Sequence, residues 1–295
     1  MYLRVRTLIF FFCSSLTAYG LQKAQAKELI LWSHLSHQNI VPFYGVWIPG
    51  ENGQFCIVSP WMTKGNLNQY LSAFPDVSRL PLLSDVIHGL DYLHKANIVH
   101  ADLKGANVLV SDNGRAMLSD FGISHIVSTR LETTTIASVG TPHWTAPELA
   151  MGDGVSPTAE SDIWSFGCVI YEVLTDNAPF HWLKTSHQIL AAMMRNQITP
   201  LKLPAGDGSS MISEQLRDIM ERCFNYAERD RPKSGDIIRF FIDLNIEDNR
   251  DDNTASMVIP RARADVKIDY ECVCKILKTV RRTTLEPDNV SEGED

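Results

Sequence analysis

The sequence predicts an α+β fold in which a small β-rich part precedes a larger, mainly helical part. Residues 40–47 and 55–59 are rich in β-branched and aromatic side chains, and the Pro-Gly-Glu-Asn-Gly stretch at 49–53 between them is typical of a hairpin turn. From Asn66 onward, apolar residues recur at helical spacing. The chain has 295 residues, which is enough for one large domain or two modest ones.

The first 21 residues form an atypical segment that admits two interpretations. Arg4 and Arg6 precede an apolar run at 8–13, and small residues follow it, a pattern that resembles a secretory signal. A strand is the alternative, because the residues at positions 3, 5 and 7 are Leu, Val and Thr and alternate with the arginines. The apolar run is too short to span a bilayer, so we do not expect a membrane partner.

Several helices are predicted from the spacing of apolar residues. Residues 24–35 carry helical spacing, with Leu29, Trp32 and Leu35 on one side. Residues 81–95 form an amphipathic pattern whose apolar face would pack on a core. Longer apolar patterns predict further helices at 161–174, 186–195 and 213–224.

The character of the chain changes after about residue 246. Residues 247–253 form the polar run Glu-Asp-Asn-Arg-Asp-Asp-Asn, which is typical of a linker. Residues 265–281 have the spacing of a short helix, and the chain ends in an acidic stretch. We therefore predict that residues 247–295 are an acidic, partly disordered tail.

Composition indicates an ordinary globular protein and argues against nucleic acid as a partner. Hydrophobic residues make up 44% of the chain and charged residues 21%, values that exclude the disordered class. The net charge is −8, and no segment forms a dense block of Lys and Arg that could bind phosphate backbones. The six cysteines lack zinc-type spacing, so we expect reduced thiols and a cytoplasmic protein, unless the N-terminus is a signal.

The strongest chemical pattern lies between residues 100 and 122. The chain reads His-Ala-Asp-Leu-Lys-Gly-Ala-Asn from residue 100 and Leu-Ser-Asp-Phe-Gly from residue 118. This resembles the catalytic loop and the metal-binding loop of a protein kinase, with Ala101 where the family usually has Arg. The resemblance implies a two-lobed protein-kinase-like fold, with a partial N-lobe at 22–61 and a mainly helical C-lobe at 62–246.

The resemblance implies a role for each matched residue. Asp102 corresponds to the carboxylate that accepts the proton of the substrate hydroxyl, and Lys104 to the lysine that approaches the transferred phosphate. Asn107 and Asp120 correspond to the magnesium ligands, and their oxygens suit that ion. Thr141 matches the hydroxyl that bridges the catalytic Asp and Lys. The implied cofactors are ATP and Mg²⁺, and the implied partner is a protein with a Ser or Thr hydroxyl.

Other residues match the nucleotide pocket of the family. Residues 58–62 align with the hinge between the lobes, where Ser59 would be the gatekeeper and Met62 would offer backbone groups to adenine. Leu109 would pack under the purine ring. Glu28 matches the helix glutamate whose usual partner is a lysine on a strand.

Matches further along the chain extend the resemblance to the C-lobe. Residues 140–148 read Gly-Thr-Pro-His-Trp-Thr-Ala-Pro-Glu, similar to the end of an activation segment. Glu148 and Arg231 match the buried ion pair that holds this segment to the C-lobe. Asp162 matches the carboxylate that accepts backbone N–H groups of the catalytic loop.

The chain departs from the family pattern near its N-terminus. No lysine stands at the position expected for the partner of Glu28, and Arg6 is a poor substitute because its planar fork binds phosphate differently. No Gly-x-Gly-x-x-Gly loop is present, so we expect an N-lobe that lacks the first strands. At Ala101 the side chain cannot bind an activation-loop phosphate. We therefore expect that replacing Thr133, Thr134, Thr135 and Ser138 together with Ala changes activity little.

Two functions are compatible with these patterns. The four matched residues of the transfer site favour a Ser/Thr protein kinase, whose local sequence at 39–45 and 60–62 is similar to the tyrosine-kinase-like group. The missing lysine and glycine loop favour a pseudokinase or truncated kinase that acts as a protein-binding module. A small-molecule phosphotransferase is a third alternative, but it would lack the Ala-Pro-Glu segment.

Overall fold

A small β-sheet lobe precedes a mainly helical lobe, which confirms the predicted α+β architecture. The structure is a computed structural model that describes residues 8–12, 32–47, 56–121, 143–152, 154–202 and 212–250. Within these residues, no helix has both the length and the apolarity required to cross a membrane.

The small lobe is built on a three-stranded antiparallel sheet with the order β1-β3-β2. Its strands are β1 Leu8–Phe12, β2 Gly45–Trp47 and β3 Cys56–Pro60. β2 and β3 pair antiparallel, as the predicted hairpin requires. β1 pairs antiparallel with the other side of β3, so β3 is the central strand.

β1 comes from the segment whose apolar run resembles a secretory signal. The structure places this run in a sheet, which agrees with the strand interpretation. The small lobe predicted for residues 22–61 therefore shares its sheet with a strand from earlier in the chain. Arg6, Glu28 and the alternating residues before β1 lie outside the described residues.

The helical lobe follows the predicted pattern closely. Each of the four helices predicted at 81–95, 161–174, 186–195 and 213–224 is found with ends that shift by two residues or fewer. The helices are α1 Leu67–Ala73, α2 Leu80–Lys95, α3 Pro147–Met151, α4 Ala159–Thr175, α5 Ser186–Asn196, α6 Glu214–Cys223 and α7 Ser234–Asp243. Of the helix predicted at 24–35, the described residues 32–34 are helical.

α4 lies in the core of the helical lobe. It begins with a capping box. The Thr158 side chain accepts a hydrogen bond from the Ser161 N–H, and the Ser161 hydroxyl oxygen accepts one from the Thr158 N–H. Trp164, Phe166 and Tyr171 on this helix are fully buried. Each such burial stabilises the fold by about 1.5–3 kcal/mol, so α4 is a rigid support for the loops that contact it.

A two-stranded hairpin lies where the two lobes meet. Its strands are β4 Val108–Val110 and β5 Ala116–Leu118, and a 3-10 turn at Gly105–Asn107 leads into β4. The Leu118 N–H donates to the Asn39 carbonyl at 2.8 Å, and the Leu118 carbonyl accepts from Val41 at 3.0 Å. These bonds attach the hairpin to the segment that leads into the small lobe.

Residues after α7 remain attached to the helical lobe. The structure describes the chain as far as residue 250, four residues into the predicted acidic tail. Asp248 and Arg250 form ion pairs with side chains of the helical lobe. These described residues after α7 therefore contact the helical lobe.

Candidate active site

The residues predicted for phosphoryl transfer come together in the loop between α2 and β4. The Lys104 ammonium lies 2.7 Å from Asp102 Oδ2, and the Asn107 amide nitrogen donates to the same oxygen at 2.8 Å. The Asn107 nitrogen also donates to the main-chain carbonyl of Asp102 at 2.8 Å. Because this nitrogen is committed to Asp102, the amide oxygen of Asn107 is the atom left to coordinate a cation.

Asp120 is joined to this loop through its neighbour on the chain. The N–H and the hydroxyl of Ser119 both donate to the Asn107 carbonyl, at 3.0 and 2.9 Å. Asp120 itself has a left-handed backbone with φ of 56°, which turns the chain as it leaves β5. The two predicted metal ligands, Asn107 and Asp120, are therefore held by one set of hydrogen bonds.

The electrostatics of Asp120 fit a bound cation. Burial raises the pKa of this carboxyl, the charge of Asp102 raises it further, and Lys104 opposes the shift. Because the negative charges of Asp102 and Asp120 repel each other, a divalent cation between the protein and its ligand would stabilise both carboxylates in their charged form. The donor set, carboxylate plus amide oxygen, is the hard-oxygen type that Mg²⁺ prefers.

A buried carboxylate on α4 anchors the start of the catalytic loop. Asp162 is 1% exposed; its Oδ2 accepts from the His100 N–H at 2.8 Å and its Oδ1 from the Ala101 N–H at 2.9 Å. The predicted contact of Asp162 with the loop backbone is thus confirmed. His94 Nε2 also lies 2.9 Å from Asp162, a partner that the sequence patterns did not indicate. The loop is held although Ala101 has a left-handed φ of 67°.

Aromatic packing links the predicted metal-binding loop to the small lobe. Phe121, directly after Asp120, is buried, and its ring centroid lies 5.4 Å from that of Trp32 and 6.3 Å from that of His100. The Trp32 indole N–H donates to the Val41 carbonyl at 2.8 Å. Burial lowers the pKa of His100, so this histidine is an uncharged packing partner.

The predicted hinge residues follow the end of β3. Ser59 is buried on this strand and Met62 is buried just after it. The Met62 carbonyl accepts a bond from Gly65 at 3.0 Å, and the Gly65 carbonyl accepts from Val110 on β4. The segment after Met62 is therefore attached to the strand that carries Leu109, which brings the two predicted adenine contacts to one region.

The predicted ion pair between Glu148 and Arg231 is present and bidentate. The two guanidinium nitrogens lie 2.7 and 2.6 Å from the two carboxylate oxygens, and the Arg231 side chain is fully buried. Further bonds run to the carbonyls of Glu160 and Asn225, and the guanidinium lies 5.3 Å from the centre of the Trp164 ring. Removal of one partner of such a pair typically costs about 3–5 kcal/mol.

Glu172 is a contact of the catalytic loop that the sequence patterns did not reveal. This buried carboxylate accepts from the Gly105 N–H at 3.0 Å, from the Trp144 indole at 2.9 Å and from the Asn68 amide at 2.6 Å. It therefore links the loop, the segment before α3 and helix α1. A glutamate within the apolar run of α4 is the one feature of the sequence that could have indicated it.

Two predicted site residues lie outside the described part of the chain. Thr141 belongs to the range 122–142 and Glu28 to the range 13–31, so their roles stay predictions. The helix predicted at 265–281 and the four activation-segment residues Thr133, Thr134, Thr135 and Ser138 also lie outside the described residues, so the expectations for them stay predictions.

A sheet lobe joined to a helical lobe, with two carboxylates, a lysine and an asparagine at the junction, defines a protein-kinase-like phosphotransferase fold. The sequence model of the family described as "Protein kinase domain" matches residues 16–240. The chain belongs to the protein kinase family, whose members use ATP and a divalent metal ion.

Relatives of the chain include several proteins that are named as mitogen-activated protein kinase kinase kinases. The chain is 34% identical over 219 residues to mitogen-activated protein kinase kinase kinase 3 of Mus musculus. This match covers 72% of this chain and 33% of that protein. It is 32% identical over 220 residues to mitogen-activated protein kinase kinase kinase 2 of Arabidopsis thaliana, with 72% and 32% coverage. It is 30% identical over 227 residues to mitogen-activated protein kinase kinase kinase A of Dictyostelium discoideum, and this match covers 76% of this chain and 23% of that protein. The match thus spans a third or less of each of these relatives.

Proposed function

We propose that this chain is a Ser/Thr protein kinase that transfers the γ-phosphoryl group of ATP to a protein hydroxyl. The observation that carries the proposal is the bonded group Asp102–Lys104–Asn107, with Asp120 tied to Asn107 through Ser119. A module that only binds proteins has no use for this arrangement. Relatives that are named as serine/threonine-protein kinases support the same conclusion.

Each residue has a distinct part in the proposed transfer. Asp102 accepts a hydrogen bond from the substrate hydroxyl and takes its proton as the oxygen attacks the phosphorus. Lys104, held against Asp102, places its positive charge where negative charge develops on the transferred group. Asn107 and Asp120 would hold Mg²⁺, which when bound neutralises the charge of the ATP phosphates.

The proposed nucleotide site lies against the hairpin. Leu109 on β4 would contact the purine ring, and the Met62 N–H would contact the adenine edge, since the Met62 carbonyl already accepts a bond from Gly65. Because Asp120 directly follows the same hairpin, the base and the phosphates would be positioned by one structural unit. We further propose Mg²⁺ as the metal and a protein as the substrate.

The proposal is tested by transfer from radiolabelled ATP to a general basic protein substrate, with the full chain and Mg²⁺. We expect Asp102→Asn to lower kcat by about 10²–10⁴-fold, the usual contribution of a positioned base. The matched control is Asp243→Asn, the same change at an exposed carboxylate on the end of α7, which is expected to retain full activity. Equal rates for Asp102→Asn and the unmodified chain would contradict the proposal.

The alternative function, a pseudokinase that acts as a binding module, rests on the small lobe. The described strand β1 reads Leu-Ile-Phe-Phe-Phe and carries no lysine. If the unmodified chain transfers no phosphate and its binding of Mg²⁺-ATP does not respond to Asp120→Ala, this alternative replaces the kinase proposal.

A further inference from the structure

A cluster of charged side chains joins three separate parts of the helical lobe. We call it the latch cluster; its members are Asp85 on α2, Arg115 in the β4–β5 turn, and Asp248 and Arg250 after α7. Asp85, Arg115 and Arg250 have side chains that are 7%, 16% and 17% exposed, so their ion pairs are shielded from solvent. The two positive and two negative charges balance.

Arg250 donates to several acceptors in and around the latch cluster. Its Nη1 donates to Asp85 Oδ2 at 2.7 Å and to the Gly114 carbonyl at 2.8 Å. Its Nη2 donates to Asp248 at 2.8 Å and to the Pro81 carbonyl at 3.1 Å, and its Nε donates to Asp248 at 2.8 Å. The planar fork of arginine is suited to this set of acceptors, whereas a lysine could not reach all of them at once.

Asp85 connects the latch cluster to the hairpin. Its Oδ2, the atom that Arg250 contacts, also accepts from the Ala116 N–H at 2.9 Å. Burial raises the pKa of Asp85, and the charge of Arg250 is the largest opposing influence. Arg250 therefore offsets part of the cost of burying the carboxylate that holds the first residue of β5.

The hairpin carries the predicted nucleotide contacts at its other end. Asn107 directly precedes β4, Leu109 lies within it, and Asp120 follows β5 by two residues. A second bond supports the turn, since Arg115 Nη1 lies 2.7 Å from Asp248. A change in the latch cluster would therefore reach the nucleotide site through two short strands.

We propose that Arg250 is a positioning residue of the nucleotide site, which it controls by holding the β4–β5 hairpin in place. It lies ten residues beyond the end of the family match at residue 240. The nucleotide part of this inference rests on the proposed kinase function, whereas the restraint of the hairpin does not.

The test compares Arg250→Ala with Arg239→Ala in the full chain. Arg239 is the matched control because it is 75% exposed and pairs with Asp236 on its own helix. For each variant we would measure hydrogen–deuterium exchange of the peptide covering 108–120, and the KM values for Mg²⁺-ATP and for the protein substrate. For Arg250→Ala we expect faster exchange in this peptide and about a tenfold rise in KM for ATP, with KM for the protein unchanged.

A second variant keeps the test decisive if Arg250→Ala folds poorly. Arg250→Lys retains the charge but loses the fork, so it should raise exchange and KM for ATP by a smaller factor. Addition of Asp85→Asn to Arg250→Ala should recover part of the loss, because the buried carboxylate is no longer left without its main partner.

The results separate this inference from the proposed function. Unchanged exchange in the 108–120 peptide, or a uniform rise across the whole chain, overturns the role of Arg250. Faster local exchange with an unchanged KM for ATP also overturns it. If the unmodified chain fails to bind Mg²⁺-ATP, the kinase proposal fails, and the exchange pattern alone then shows whether Arg250 holds the hairpin.

Discussion

Asp162 and Asp85 are buried aspartates that hold the two halves of the proposed site in different ways. Asp162 on α4 anchors the catalytic loop and takes its donors from residues 94–101, which lead into that loop. Asp85 on α2 anchors the hairpin, but its charge is matched by Arg250, 165 positions further along the chain. The transfer half is thus fixed by a carboxylate from the core helix α4, whereas the anchor of the nucleotide half is balanced by a residue that lies after the last described helix.

This difference predicts which half is easier to disturb from outside the catalytic domain. A contact that is contributed by the loop's own backbone persists as long as the loop is folded. A contact that depends on a residue after the last described helix can be lost while the core stays intact. The nucleotide half should therefore respond to changes after α7, and the transfer half should not.

Among the changes that test this comparison, the largest effect is expected for Asp162→Ala. This change leaves the N–H groups of His100 and Ala101 without their acceptor and releases the loop that carries Asp102. Displacement of a catalytic group by about 1 Å can lower kcat by about 10²-fold. Steady-state kinetics should show this loss, with Asp243→Ala as an exposed control. A small effect on kcat would show that the loop does not need this anchor.

An intermediate effect is expected for Glu172→Ala. The Gly105 N–H and the Trp144 indole would both lose their acceptor, at a cost of about 1–3 kcal/mol for each buried donor left unpaired. Because Gly105 follows Lys104, kcat should fall as well as the free energy of unfolding. Denaturant unfolding measures the stability loss, and Glu214→Ala at the exposed start of α6 is the control. Equal stability of the two variants would contradict the expected role of Glu172.

The smallest effect is expected for Asp248→Asn, and it should depend on pH. Hydrogen bonds from Arg250 lower the pKa of Asp248 below its ordinary value of 3.8 in the folded protein. The unfolded chain therefore takes up the proton first, so the stabilisation is present above that value and is lost as the pH falls through the folded pKa. Asp248 is 30% exposed, so the contribution at neutral pH should be about 0.2–1 kcal/mol.

The measurement is the free energy of unfolding of both proteins at about pH 6 and about pH 3. The difference between the chain and Asp248→Asn should shrink at the lower pH. A difference that stays constant across this range would mean that the ion pair with Arg250 does not stabilise the fold.

The sequence was sufficient to predict features that depend on a short stretch of chain or on a regular spacing of apolar residues. The helices at 81–95 and 161–174 were predictable because their apolar residues repeat at helical spacing over four turns or more. Asp102, Lys104 and Asn107 lie within six residues, so their meeting in space follows from one loop. Local information alone determined these features.

The contacts that escaped prediction join residues that are far apart in the chain. Glu172 takes donors from α1, the catalytic loop and the segment before α3, and no spacing rule connects these places. Arg250 lies in a polar run that is typical of a linker, and its partner Asp85 lies on an amphipathic helix, where an acidic residue is usually exposed. Only the tertiary fold brings these groups together.

We propose that Asp102 acts in transfer and Asp120 in nucleotide binding, and measuring both steps on the same variants separates the two roles. Single-turnover phosphoryl transfer and equilibrium binding of Mg²⁺-ATP are measured on the full chain, on Asp102→Asn and on Asp120→Asn. We expect Asp102→Asn to bind the nucleotide normally but to transfer phosphate about 10²–10⁴-fold more slowly, while Asp120→Asn loses both binding and transfer. Transfer by Asp102→Asn at the rate of the unmodified chain, or binding that is indifferent to Asp120→Asn, would contradict it.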